Sequence, residues 1–163
     1  MNCQFEYADK NKLETVLPKL FELLSSNMSI IAPTGNSYNE DYKIWLSNIE
    51  PAMQKPQRQI ILMLCDNDIV GYFQYYINSR TFMMEEIQIE KSYQGTGIFS
   101  SFYSWLVYQL PNDIQCVEAY AHKKNIKSQG ILEHLGLKQL GESKNGNSYH
   151  YIGEYINLKN KYK

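Results

Sequence analysis

Apolar residues recur along this chain with two different periods, and the switches between them mark its elements. Residues 2–7 alternate, which predicts a short first strand. Leu13, Val16, Leu17, Leu20 and Leu24 recur at helical spacing, which predicts a helix over residues 11–25 with Asn11 and Glu14 as a capping box. Pro18 falls inside it and predicts a kink or a restart. A loop over 26–36 contains Pro33 and Gly35, and a second helix over 39–50 turns Tyr42, Trp45, Leu46 and Ile49 inward, with Pro51 as its stop. Residues 59–65, 69–78 and 81–90 read as three consecutive strands, joined by turns at 66–68 and 79–80, so they predict an antiparallel meander. A helix over 98–110, with Phe102, Leu106 and Leu110 on one face, leads to a strand over 114–121. Strand, helix, strand implies a right-handed crossover, so this fifth strand is parallel to the fourth. A helix over 125–135 ends at Gly136, a natural C′ residue. Residues 137–140 and 148–156 are the closing strands, and the basic tail LKNKYK reads as frayed.

The stretch from Met83 to Phe102 carries the first chemical signal. An alternating segment runs through Lys91-Ser92-Tyr93-Gln94-Gly95-Thr96-Gly97 directly into a helix. The first turn of a helix has N–H groups without intrahelical partners and partial positive charge from the macrodipole. Gly95 and Gly97 let the backbone bend sharply and approach an anion, so strand, loop and helix start together form a phosphate-binding arrangement.

Composition narrows the field. With 163 residues, one domain over 1–163 with a substantial core is the expectation. A formal net charge of -1 leaves no electrostatic footprint for nucleic acid. The N-terminus has neither a basic nor an apolar leader segment, and the longest apolar run, Ile60 to Cys65, is too short to span a bilayer, so a cytoplasmic location is the default. Cys3, Cys65 and Cys116 are odd in number and widely spaced, which indicates neither a disulfide framework nor a zinc site. The 14 tyrosines read first as strand formers, and second as the lining of an acceptor pocket.

The order βααβββαβαββ and the loop Gln94-Gly95-Thr96-Gly97-Ile98-Phe99 resemble the GCN5-related N-acetyltransferase (GNAT) superfamily, whose cofactor loop reads Gln/Arg-x-x-Gly-x-Gly/Ala. A second family pattern, Asn-x-x-Ala followed by Tyr-x-x-x-Gly-Phe, falls without a gap on Asn125, Ser128, Leu132, Gly136 and Leu137. Phe99 stands where Gly or Ala is usual, Lys91 replaces a proline, and Leu132 replaces the tyrosine that often serves as general acid. The resemblance implies an α/β (α+β) fold with a mixed, mostly antiparallel central sheet, a parallel crossover, and fourth and fifth strands that splay apart. It implies acetyl-CoA as cosubstrate, with pyrophosphate on the N–H groups from Gly95 through Thr96, Gly97 and Ile98 to Phe99, and Gln94 supplying a side-chain amide. Pantetheine would pair with the backbone of Ile87, Gln88 and Ile89, while Asn125, Ser128 and Leu132 approach from the other side. The acceptor would be an amine of a small molecule or a peptide, with no nucleic acid, no membrane and a homodimer left open as the assembly.

Strand alternation puts Glu85, Ile87 and Ile89 on one face and Glu86 on the other, where Glu86 reads as a solvated residue. The resemblance makes Glu85 the base that takes the amine proton, unless a bulge shifts the register. His122, His134 and His150 read as structural or solvated, with His122 also a candidate for cofactor contact. Cys116 lacks an evident basic partner for nucleophilic work. Two other functions compete. Gly95-Thr96-Gly97 followed by Glu118 at about 20 residues fits a dinucleotide-binding oxidoreductase, although only one βαβ unit is available. A non-catalytic acyl-CoA-binding protein fits the missing tyrosine at position 132.

Overall fold

The computed structural model describes residues 2–163. Its strands are β1 (Cys3–Tyr7), β2 (Arg58–Cys65), β3 (Asp68–Asn78), β4 (Thr81–Ile89), β5 (Cys116–His122), β6 (Lys138–Glu142) and β7 (Ser148–Glu154). They form a 7-stranded sheet in the order β1-β2-β3-β4-β5-β7-β6. The β4–β5 pair is parallel, as the crossover predicts, whereas β1–β2, β5–β7 and β6–β7 are antiparallel. The β4–β5 ladder extends from Thr81↔Cys116 to Met84↔Ala119; beyond it β4 continues to Ile89 and β5 to His122.

The helices are α1 (Leu17–Met28), α2 (Tyr38–Met53), α3 (Ile98–Gln109), α4 (Ile126–His134) and α5 (Tyr155–Tyr162). Pro18 produces the restart rather than the kink. A 3-10 turn over Lys10–Thr15 precedes α1, and Pro18 sits in the first turn of α1, where no N–H is needed. The cap of that 3-10 turn is Asp9, which accepts from the Asn11 N–H, and not the expected Asn11–Glu14 box. The capping box lies instead on α2, between Ser37 and Glu40. That helix also runs two residues past Pro51, so the proline does not stop it. The tail is corrected too: β7 ends at Glu154, and the chain turns into α5 with Tyr155 and Leu158 buried. A basic composition hid one apolar helical face.

The chain divides into two compact units, one made of residues up to Gln74 together with Glu86–Ile98, the other of Tyr75–Glu85 together with Phe99–Lys163. In the first, Leu17, Leu20 and Leu23 of α1 pack with Ile49 and Met53 of α2 on Ile60, Leu62 and Tyr72 of the sheet. In the second, the rings of Tyr75 and Phe82 meet edge to face at 5.3 Å, Phe102 and Tyr103 of α3 do so at 5.4 Å, and Tyr162 of α5 lies 5.3 Å from Tyr103. Tyr72, Tyr75, Tyr103, Tyr151 and Tyr155 are buried core residues.

Cys3 and Cys65 stand directly opposite each other in the β1–β2 pair and are joined by a disulfide, contrary to the sequence expectation. Spacing alone could not reveal it, because 62 residues separate the two and only strand register brings them together. Cys116 remains a thiol. Among the described residues no helix is long and apolar enough to cross a membrane, and no group of His, Cys, Asp and Glu is arranged to hold a metal ion.

Candidate functional site

In the first unit, β4 leaves the sheet through a 3-10 turn at Lys91–Tyr93, and α3 begins at Ile98. Between them Gln94 is extended, while Gly95 and Gly97 adopt φ of +77° and +93°. Side chains rarely enter that region, so these two glycines are required by the backbone itself. Nothing lies within 4 Å of where a β-carbon on either would stand, so the loop is open on its outer side. The Thr96 hydroxyl donates back to the Tyr93 carbonyl and holds the turn. Alternating left-handed glycines ahead of a helix start form a concave row of N–H groups, the geometry that takes an anion. The ring of Phe99 lies against Tyr103, 4.7 Å away and one turn further along α3. The backbone N–H of Phe99 is therefore not burdened by its bulky side chain.

Gln94 is turned inward. Its Nε2 donates to the Ile89 carbonyl at 2.8 Å, and Asn27 Nδ2 of α1 donates to the same oxygen at 3.0 Å. Asn27 Nδ2 also donates to Gln88 Oε1 at 2.9 Å, and Gln88 Nε2 donates in turn to Glu86 Oε1. Among the described residues Gln88 is the buried polar side chain, 6% exposed. Tyr72 on β3 is fully buried and its hydroxyl has no hydrogen-bond partner among the described residues. Burial first, and then the charge of Glu86, push its phenol well above the ordinary value. Glu86 is thus half-buried and hydrogen-bonded, not the solvated residue its strand position suggests. Strict alternation also fails here: Glu85, Glu86 and Ile87 are three successive half-buried residues, followed by Gln88 and Ile89, both buried. The interruption coincides with the passage of β4 from one unit to the other, between Glu85 and Glu86. An open cleft of about 720 Å³, between Lys19, the β2–β3 turn and Tyr93, adjoins the loop.

In the second unit, Asn125 caps α4 and accepts from the Ser128 N–H at 3.1 Å, so two of the predicted site residues meet each other. Leu132 is buried, and its carbonyl receives the Leu137 N–H beyond Gly136, which has φ of +95° and fills the expected C′ role. His122 Nδ1 accepts from the Lys124 N–H, which makes this histidine a turn cap. His150 stacks on Tyr120 at 4.6 Å, and its Nε2 lies 3.4 Å from Glu118 Oε1 without hydrogen-bond geometry. Lys123 is paired with Glu142 at 2.9 Å, and Cys116 Sγ lies 3.0 Å from Thr81 Oγ1. The amide chain from Gln94 to Glu86 was invisible in the sequence, because its contact from Asn27 to Gln88 spans 61 residues.

No family model matches this chain, and no curated protein matches it either. Solved structures do. The PaiA N-acetyltransferase of Thermoplasma acidophilum, solved in complex with coenzyme A, superposes with a TM-score of 0.72 at 14% identity, covering 95% of this chain and 100% of its own. An acetyltransferase of the GNAT family from Staphylococcus aureus gives 0.71 at 13% identity over 94% of this chain and 99% of its own. The aminoglycoside acetyltransferase AAC(6')-Ib, in complex with coenzyme A, gives 0.69 at 12% identity over 99% and 100%. Identities this low speak for architecture, and the architecture is the same in each case: the chain has the fold of the GCN5-related N-acetyltransferase superfamily.

Proposed function

We propose that this protein is an acetyl-CoA-dependent N-acetyltransferase whose acceptor is a primary amine of a small molecule or peptide. The observation that carries the reading is the pair of left-handed glycines, Gly95 and Gly97, opening onto the first turn of α3 within this fold. Pyrophosphate would sit on the N–H groups from Gly95 to Phe99. One N–H of the Gln94 amide is engaged with the Ile89 carbonyl, so the main weight of phosphate recognition falls on backbone N–H groups. The Ile89 carbonyl has both lone pairs taken by side-chain amides, so pairing with pantetheine falls to the backbone of Ile87 and Gln88. Asn125, Ser128 and Leu132 match the remaining cofactor positions of the family's sequence pattern.

In the reaction the amine nitrogen attacks the thioester carbonyl, a strand N–H stabilises the oxyanion, and a carboxylate of β4 receives the proton. The family pattern nominates Glu85 for that task. The buried Leu132, where relatives carry a tyrosine acid, is what favours the second reading, a non-catalytic acyl-CoA-binding protein. Thiol release from acetyl-CoA, measured with spermidine, kanamycin and a lysine-containing tetrapeptide as acceptors, decides between them. Amine-dependent release is the expected result. Tight CoA binding with no release would favour the non-catalytic reading, and stabilisation by NAD but not by CoA would sink both.

A further inference from the structure

The family pattern points to Glu85, but the packing singles out its neighbour. Glu86 is the carboxylate at the end of the chain Asn27, Gln88, Glu86, each link a side-chain hydrogen bond. A buried amide such as Gln88 is costly unless it is fully engaged, and here both of its ends are: Oε1 accepts from Asn27, and Nε2 donates to Glu86. The chain continues from Asn27 to the Ile89 carbonyl and there meets Gln94, the first residue of the anion-binding loop. The Tyr72 hydroxyl, sealed in the core beneath this chain, has no hydrogen-bond partner among the described residues, and the Glu86 carboxylate is close enough to help raise its phenol. A half-buried carboxylate held at one oxygen by a buried amide is fixed in one orientation while still open to solvent on its exposed side. Those are the conditions a general base needs.

Resting on the acetyltransferase reading, we propose that Glu86 is the proton acceptor of the reaction and that Asn27 and Gln88 are its positioning residues. The amine nitrogen forms a C–N bond to the thioester carbonyl carbon, and the C–S bond breaks as the resulting oxyanion collapses. The displaced N–H proton goes to the Glu86 carboxylate, and the electron pair leaves with the CoA thiolate. Glu86 then returns the proton, through solvent, to the thiolate, so the balance is amide plus free thiol.

The test measures CoA binding by calorimetry alongside kcat and KM for the same three amines. Glu86→Gln is expected to lower kcat about a hundredfold, at least ten times more than Glu85→Gln does, with CoA affinity within twofold of the parent. Asn27→Ala and Gln88→Leu are expected to lower kcat about tenfold while the KM for acetyl-CoA holds, a split that loss of stability alone would not produce. Formate is expected to restore part of the activity of Glu86→Ala, and Glu86→Asp should keep more activity than Glu86→Gln. Activity lost in Glu85→Gln but kept in Glu86→Gln would overturn the inference. So would CoA binding without turnover of any of the amines, which leaves the cofactor assignment standing. Failure of the parent protein to bind CoA would remove the underlying reading itself.

Discussion

Gly97 has φ of +93° and open space where a β-carbon would go, so two effects separate there. Gly97→Ala is expected to cost about 1–2 kcal/mol from backbone strain alone, seen as a Tm lower by a few degrees. Gly97→Glu carries the same strain and adds a carboxylate where phosphate is proposed, so CoA affinity should fall at least tenfold more than in Gly97→Ala; equal affinities would place the anion elsewhere. Tyr72 makes the opposite case. A buried hydroxyl without a partner costs about 1–3 kcal/mol, so Tyr72→Phe is expected to raise the Tm of the ligand-free protein; a clear drop would show that the hydroxyl is satisfied. The glycines and the C′ role of Gly136 were readable because backbone demands are local. The inward turn of Gln94 and the engagement of Glu86 were not, since both depend on partners that only the fold supplies.

At the level of elements, local signals placed nearly every strand and helix, and the errors share one cause. Pro51 is exposed and lies in the last turn of α2, where the missing N–H costs one hydrogen bond near the helix end, and the helix passes through it. The tail LKNKYK looked solvated because four polar residues surround Leu158, yet one buried leucine per two turns, with Tyr155, suffices to dock α5. Leu158→Ala is therefore expected to cost about 2–4 kcal/mol, while Ile156→Ala, at a half-exposed position, should stay within about 0.5 kcal/mol in denaturant titrations. Similar losses at both positions would argue that α5 is only loosely docked. The disulfide also acts on an element. It ties β1, the outermost strand of its side of the sheet, to β2. Reduction should destabilise by about 2–4 kcal/mol, and amide exchange should quicken first in β1. An unchanged Tm under reducing conditions would show that strand pairing alone holds β1.

For the molecule as a whole, tyrosine burial sets the response to alkali. Burial raises the phenols of Tyr72 and Tyr103, with the Glu86 carboxylate adding to the first and Tyr162 to the second. Above pH about 10 the unfolded chain releases these protons while the folded chain retains them, so stability falls with rising pH, by about 1.4 kcal/mol per pH unit for each such group. Tyr103→Phe should flatten that slope in denaturant titrations across the alkaline range; an unchanged slope would assign the alkaline loss to other groups. Another consequence concerns synthesis. Every residue of the first unit lies before Phe99, whereas the second unit draws its Tyr75–Glu85 segment from the middle of the chain and the remainder from its end. At about 5–20 residues per second, a ribosome completes the first unit's share seconds before it reaches α5. For the early part of that interval, until His122 is made, the segment carrying Tyr75 and Phe82 exists without β5, the parallel partner of its Thr81–Met84 stretch. An apolar strand without its partner is a surface for chaperones, and slower translation between Ile98 and His122 would prolong its exposure.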